Sequence, residues 1–292
     1  IRLSLVGSEM CIRDRVTADG EIKEVVGNWS IWIDGEFGEF TLGKTKPRSR
    51  ILDEKSFHIG IDKRLSDDGD LFGFALGLGE DTPVDRNHDS HMESRNYSLS
   101  TYGKFDDRSY ALQYIFGVSR LEFNSDRLDG EELLTGEREA NQVYGSLALI
   151  SSLSSESSNW QLSPYLRIDG SYTEFDEFSE IGGEAALTFD ELTLSNAKAS
   201  IGTDISYLFS GSKLNVMPYI TFEYGLDYSQ TSSQNMYYTV EGPTRNYILD
   251  LDDGVKTHNW QVDIGLMLET FSAMNTTIAV SYTHLRAHET ET

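Results

Sequence analysis

Residues 160–172, WQLSPYLRIDGSY, alternate apolar and polar positions for about thirteen residues. In an extended chain, successive side chains point to opposite faces. Trp160, Leu162, Pro164, Leu166, Ile168 and Tyr172 therefore share one face, and Gln161, Ser163, Tyr165, Arg167, Asp169 and Ser171 the other. A helix has no use for a period of two. The stretch is also longer than the usual five or six residues of a globular strand, and it matches the length that crosses a bilayer obliquely.

The pattern recurs along the chain, and strands are expected at 29–37, 56–65, 71–79, 96–105, 109–123, 141–151, 160–172, 194–209, 214–226, 259–271 and 276–282. In 214–226, Val216, Ile220 and Phe222 fall opposite Tyr219 and Glu223. In 259–271, Val262, Ile264 and Leu266 fall opposite Asp263 and Glu269. Asp34 and Asp204 lie on the polar stripes of their own strands. That makes about eleven strands and no convincing helix.

The connections carry a second signal. Short ones at 66–70, 106–108, 152–158, 210–213 and 272–275 alternate with long acidic ones near 39–54, 80–94, 123–139, 174–190 and 229–257. A chain that runs up and down in this way puts its tight turns at one end and its long loops at the other, the layout of an outer-membrane barrel. In a soluble sandwich the polar faces would meet bulk water and be rich in Lys and Glu. Here they carry Ser, Gly, Gln, Thr, Tyr and isolated charges. Aromatic residues also mark strand ends (Trp29, Trp160, Tyr172, Trp260, Phe271), where interface girdles belong.

The expected fold is thus an all-β, transmembrane, antiparallel up-and-down β-barrel. Leu166, Ile168, Val216, Ile220, Phe222, Val262, Ile264 and Leu266 are expected to face lipid. Asp34, Tyr165, Arg167, Asp169, Asp204, Tyr219, Glu223, Asp263 and Glu269 are expected to line a water-containing pore, because charge on the lipid side is costly. Pro164 and Pro218 lack a ladder donor, which points to a bulge or to the short-turn rim. A net charge of -24 disfavours nucleic acid as a partner.

Two end segments lack the interior pattern. "SLVGSEMCIRDR" and "VSYTHLRAHET" are similar to translated sequencing-library adapter, so 1–15 and 281–292 are set aside and the barrel domain is placed at 16–280. The one cysteine, Cys11, falls in the first of these, leaving no disulfide framework to consider.

Between 163 and 229 the sequence resembles the translocator β-barrel of autotransporters, the type V secretion proteins of Gram-negative bacteria. Phe178, Glu180, Gly182 and Gly183 form a Phe-x-Glu-x-Gly-Gly loop, and Gly202 and Pro218 fill the places of an inward glycine and a strand proline. The resemblance extends over roughly 27–280. It implies a twelve-stranded barrel in the outer membrane, with long loops extracellular and short turns periplasmic. It also implies a passenger and a lumen-filling linker helix on the N-terminal side, and the barrel-assembly machinery as a partner. About eleven strands are present against the family's twelve, and the linker helix and terminal aromatic are missing. The chain alone is therefore expected to insert poorly, because open strand edges are costly in lipid. A small porin-like channel is the alternative, and a soluble sandwich a more distant one.

Other chemistry is thin. His88 and His91 lie three apart in an expected loop with Asp89 between them and read as solvated residues rather than as metal ligands, and the acidic runs at 67–70 and 250–254 lack calcium-loop spacing. There is no nucleophile elbow, zinc-protease motif or phosphate loop. The chain is read as a non-enzyme without cofactor or metal. The resemblance to autotransporters, some of which cut their own linker with acidic residues inside the barrel, keeps one catalytic possibility open, self-cleavage by Asp34, Asp204, Glu223 or Asp263, which could pair and raise one another's pKa.

Overall fold

A computed structural model describes residues 29–42, 50–66, 69–84, 90–107, 109–153, 158–212, 214–229, 232–251, 257–270 and 276–288. Side chains are described for most of these, but not for 35–54, 83–91, 229, 232, 250–257 or 269–288.

Eleven long strands follow one another in a single antiparallel path. They are β1 (Trp29–Leu42), β2 (Arg50–Arg64), β3 (Leu71–Val84), β4 (Ser90–Asp107), β5 (Tyr110–Asp129), β6 (Glu132–Ser151), β7 (Trp160–Phe175), β10 (Leu192–Tyr207), β12 (Leu214–Ser229), β15 (Thr257–Thr270) and β16 (Thr276–His288). The two-residue β11 (Phe209–Ser210) also pairs with β12. Between the long strands lie β8 (Phe178–Ser179), β9 (Leu187–Phe189), β13 (Ser232–Tyr238) and β14 (Tyr247–Leu251), which form a separate four-stranded sheet ordered β14-β13-β9-β8. This is the expected up-and-down barrel wall. Among the described residues no pairing joins β1 to β16.

The alternation of residue types becomes an alternation of burial. Along β5 and β7, exposed outward residues alternate with shielded ones. Ile31, Leu76, Leu99, Val118, Val143, Leu166 and Ile168 are all at least half exposed, whereas Ser100, Ser119, Gln142, Thr173, Thr221 and Glu223 are buried. A soluble protein reverses this arrangement. From Trp160 to Tyr172 the apolar stripe is roughly 25–30 Å tall for strands tilted near 45°. Trp29, Trp160, Tyr172 and Trp260 are exposed at strand ends; Phe271 lies outside the described residues.

Each ladder keeps one register along its length, so neither proline sits in a bulge. Pro164 lies one step beyond Tyr165, where the pairing of β7 with β6 stops. Pro218 lies in the gap between the β10–β12 ladder, which ends at Tyr219, and the β11–β12 pairs that begin at Val216. Both are at the short-turn end, where a missing N–H donor is tolerated.

The large rings and the glycines of the polar face are matched across strands. Trp32 faces Gly60, Tyr102 faces Gly73, Tyr144 faces Gly117, Tyr165 faces Gly202 and Tyr219 faces Gly265. A Cβ on Gly202 would stand 2.3 Å from the Tyr165 ring, and one on Gly265 would stand 2.2 Å from the Tyr219 ring. Each ring occupies the volume its partner leaves empty.

The expected long connections all change: 39–42 and 50–54 belong to β1 and β2, and 80–84 and 90–94 to β3 and β4. The segment 123–139 is not a loop: β5 and β6, 20 residues each, continue as one hairpin closed by Gly130 and Glu131, with Gly130 at φ 65°. The segments 174–190 and 229–257 largely build the small sheet, with a 3-10 turn at Gly242–Thr244. Strand β16 runs across the boundary placed at 280.

Candidate functional site

The polar face of β7, β10 and β12 carries a charged network centred on Glu223. Asp169 and Lys198 are cross-strand partners, and Glu223 faces Gly202 on β10. Because Gly202 has no side chain, Tyr165 and the Glu223 carboxylate approach each other above it, and Tyr165 Oη donates to Glu223 Oε2 at 2.8 Å. Arg167 Nη2 and Ser200 Oγ both donate to Glu223 Oε1, at 3.0 and 3.1 Å, and Lys198 Nζ also bonds the carboxylate. Arg167 Nε turns to Asp169 Oδ2 at 3.0 Å. Glu223 is only 4% exposed, so its charge is held by two cations and two hydroxyls rather than by water.

Next to it, Asp204, Thr221 and Asp263 share one register row, with the Thr221 hydroxyl bonded to Asp204 and Gln261 Nε2 on Asp263 Oδ2 at 2.8 Å. Asp34 lies on β1, paired in register with His58. The four acids kept open for self-cleavage therefore do not share one described register row.

A second cluster anchors the small sheet to the extended ends of β5 and β6. Arg127 makes a two-pronged bond to Glu180 and donates to the Ala185 carbonyl at 3.0 Å, while Glu180 also accepts from the Leu187 amide at 3.0 Å. Gly182 is at φ 123°, with the Leu133 carbonyl 2.1 Å from where a Cβ would be. That turn needs glycine. Arg138 donates to the Asp176 and Asp190 carbonyls at 2.8 and 3.0 Å and to Gln234 at 3.1 Å, with Phe175 and Phe178 against its guanidinium. Burial pushes Arg138 down to about 10, which leaves it charged at neutral pH.

A family model described as Autotransporter beta-domain matches residues 35–283. The chain belongs to the autotransporter β-domain family. Its fold is similar to the translocator domain of the autotransporter NalP from Neisseria meningitidis, with a TM-score of 0.68 at 15% identity over 88% of this chain and 82% of that one. It is also similar to the beta domain of the Bordetella autotransporter BrkA, with a TM-score of 0.59 at 10% identity over 89% and 93%. No curated protein matches the sequence.

In this autotransporter β-domain the residues expected to line a pore lie on the polar face. Tyr165, Tyr219, Glu223 and Asp263 are buried and Asp34, Arg167, Asp169 and Asp204 partly so. The residues expected to face lipid lie on the other face, where Leu166, Ile168, Phe222, Ile264 and Leu266 are exposed and Val216, Ile220 and Val262 half-buried. The Glu269 side chain is outside the described residues, as is His88. Sequence reasoning missed Lys198 and Ser200, although they share the polar stripe of β10 with Asp204. It also missed Arg127 and Arg138, which it left inside a supposed loop.

Proposed function

We propose that the polar face encloses a solvated lumen, that the apolar face meets outer-membrane lipid, and that the barrel anchors and exports a passenger attached on its N-terminal side. One observation supports this above the others: greasy side chains stand exposed on ten consecutive antiparallel strands, β1 to β15 of the wall, while the charged network lies shielded on the opposite face. Membership of the autotransporter β-domain family supports the export role. On this reading residues 16–280 form the barrel, the small sheet and long hairpins are extracellular, and the short turns are periplasmic. A linker helix docks against the lumen wall, and the barrel-assembly machinery inserts the chain.

The barrel wall itself works as a conduit and carries out no catalysis; whatever chemistry the whole protein performs belongs to the passenger. Glu223, held by Arg167 and Lys198, supplies fixed charge to the lumen. The Asp204–Thr221–Asp263 row extends the polar lining toward β15.

Joined to a linker and a reporter passenger in a Gram-negative host, the barrel is expected in the outer-membrane fraction with the reporter open to added protease on intact cells. A barrel in that fraction with its reporter left in the periplasm would point to a porin-like channel. Recovery as a soluble monomer without detergent would sink the membrane assignment altogether.

A further inference from the structure

Though paired separately, the small sheet continues the wall in register. The β7–β10 ladder ends at Phe175↔Leu192 and the β8–β9 pairs begin at Phe178↔Phe189, so two residues drop out on each strand and the offset carries over. The β10–β12 ladder ends at Asn196↔Ser229 and β9 meets β13 at Phe189↔Met236, again with equal lengths passed on both strands. Pairing therefore lapses at one level, at Asp176–Glu177 on one strand and Asp190–Glu191 on the other. That lapse is a crease in the wall.

Arg138 fills the crease from the polar face. It lies on the polar stripe of β6, paired in register with Phe123. Its guanidinium takes the Asp176 and Asp190 carbonyls at the crease and reaches on to Gln234 of β13. Phe175 below the crease and Phe178 above it both lie against the guanidinium, with ring centroids at 5.0 and 5.3 Å. A side chain that touches both slopes of a fold sits on its concave side, so the small sheet leans over the polar face. Phe178, Phe189, Met236 and Tyr247 form one register row turned the same way, and Phe178 stands 2.8 Å from where a Cβ on Gly136 of that face would be.

The sheet is attached unevenly. At its β8 edge Thr135 and Ile181 exchange two backbone hydrogen bonds, and Arg127 holds Glu180. Farther out, Arg138 is the side chain that reaches β13 from β6.

We propose that the small sheet is a flap that leans over the extracellular mouth and narrows it, hinged along β6 and held down by Arg138, and that a polypeptide in transit lifts it. This rests on the polar face enclosing the lumen. The dimensions fit. A wall of eleven or twelve strands at ordinary spacing and tilt leaves an opening roughly 22–24 Å wide between backbones. The seven-residue β13 alone supplies roughly 23 Å of strand to lean across it. Arg138 is thus a positioning residue, acting on the opening through the sheet it holds.

The test is pulsed electron spin resonance on the full chain folded in micelles, with Cys11→Ser and spin labels at Met92→Cys and Ile248→Cys. Ile248 is on the free edge strand β14, Met92 is on β4, six strands round the wall from β15, and both are exposed. The unmodified flap should give one narrow distance. Arg138→Ala should give a broader one, longer by roughly 10 Å, the arc that such a lever sweeps through about 25°. Gln234→Met, which removes the far contact alone, should give a smaller shift in the same direction. Unchanged heat-modifiable migration shows that the wall stays folded in each variant. In planar bilayers Arg138→Ala should pass about twofold more current, since conduction follows the width of the opening. Equal distances in the unmodified chain and both variants overturn the latch, and a longer distance with unchanged current overturns the narrowing. A chain that stays monomeric and soluble without detergent overturns the lumen reading and the flap together.

Discussion

Arg127 and Glu180, on β5 and in the Phe-x-Glu-x-Gly-Gly loop, meet as a two-pronged ion pair, with Nε on Oε1 at 3.1 Å and Nη2 on Oε2 at 2.6 Å. The glutamate is 5% exposed and the arginine side chain about a third exposed. One contact ties a loop to a hairpin that rises beyond the shared wall, and it fixes where the small sheet sits.

Glu180→Gln should loosen that sheet while leaving the wall intact. Losing one member of a buried pair costs about 3–5 kcal/mol, and partial solvation of Arg127 brings the expectation to about 2 kcal/mol. Amide exchange at Leu187–Phe189 should accelerate at least tenfold while heat-modifiable gel migration is unchanged. Unaltered exchange there would mean that the pair does not hold the sheet.

Glu223→Ala removes the anion shared by Arg167 and Lys198 and leaves Lys198 without its carboxylate. A loss of about 2–4 kcal/mol is expected in urea unfolding from micelles. The double variant Glu223→Gln with Lys198→Met should recover part of it, because the uncompensated cation is gone and Arg167 keeps Asp169. If the double variant is no better than Glu223→Ala, the charge argument is wrong.

Gly202→Ala and Gly170→Ala form a matched pair. The first places a Cβ 2.3 Å from the Tyr165 ring, and the second places one 3.9 Å from its nearest neighbour, the Asn196 carbonyl. Overpacking predicts a loss of about 1–3 kcal/mol for Gly202→Ala and little change for Gly170→Ala. Equal urea midpoints for the two would remove the ring-over-glycine account.

Ile168→Arg and Ser146→Lys separate the two faces of one region, since Ser146 is paired in register with Asp169, the residue next to Ile168. Arginine at mid-depth on the lipid side costs about 2–4 kcal/mol, whereas a lysine on the polar face meets an acid and water. Folded yield in micelles should drop for Ile168→Arg and hold for Ser146→Lys. The reverse order would exchange the assigned faces.

Much of the wall was legible because a period of two admits one backbone conformation and because lipid on one side and solvent on the other keeps the two stripes chemically distinct. Leu166 and Ile168 against Arg167 and Asp169 is such a case. The signal failed where that contrast ends. Past Phe123 on β5 both faces are largely polar, so Asn124–Asp129 reads as loop although it pairs residue for residue with β6. The Asp129-Gly130 step was the remaining clue to a tight hairpin. The small sheet was hidden for a different reason: β8, β9 and β14 are two, three and five residues long, too short for any period to emerge.

What the sequence determined by itself is the existence of the eleven wall strands, the face of their side chains and the up-and-down path, because these follow from alternation along the chain. What only the tertiary structure decided is which residues meet across it: Glu223 with Arg167 and Lys198, Arg127 with Glu180, Tyr165 over Gly202. Those meetings depend on register between strands, and a shift of one residue would have turned every one of these side chains to the opposite face. Alternation along a strand cannot set its offset from the next; packing rings against glycines and pairing buried charges does.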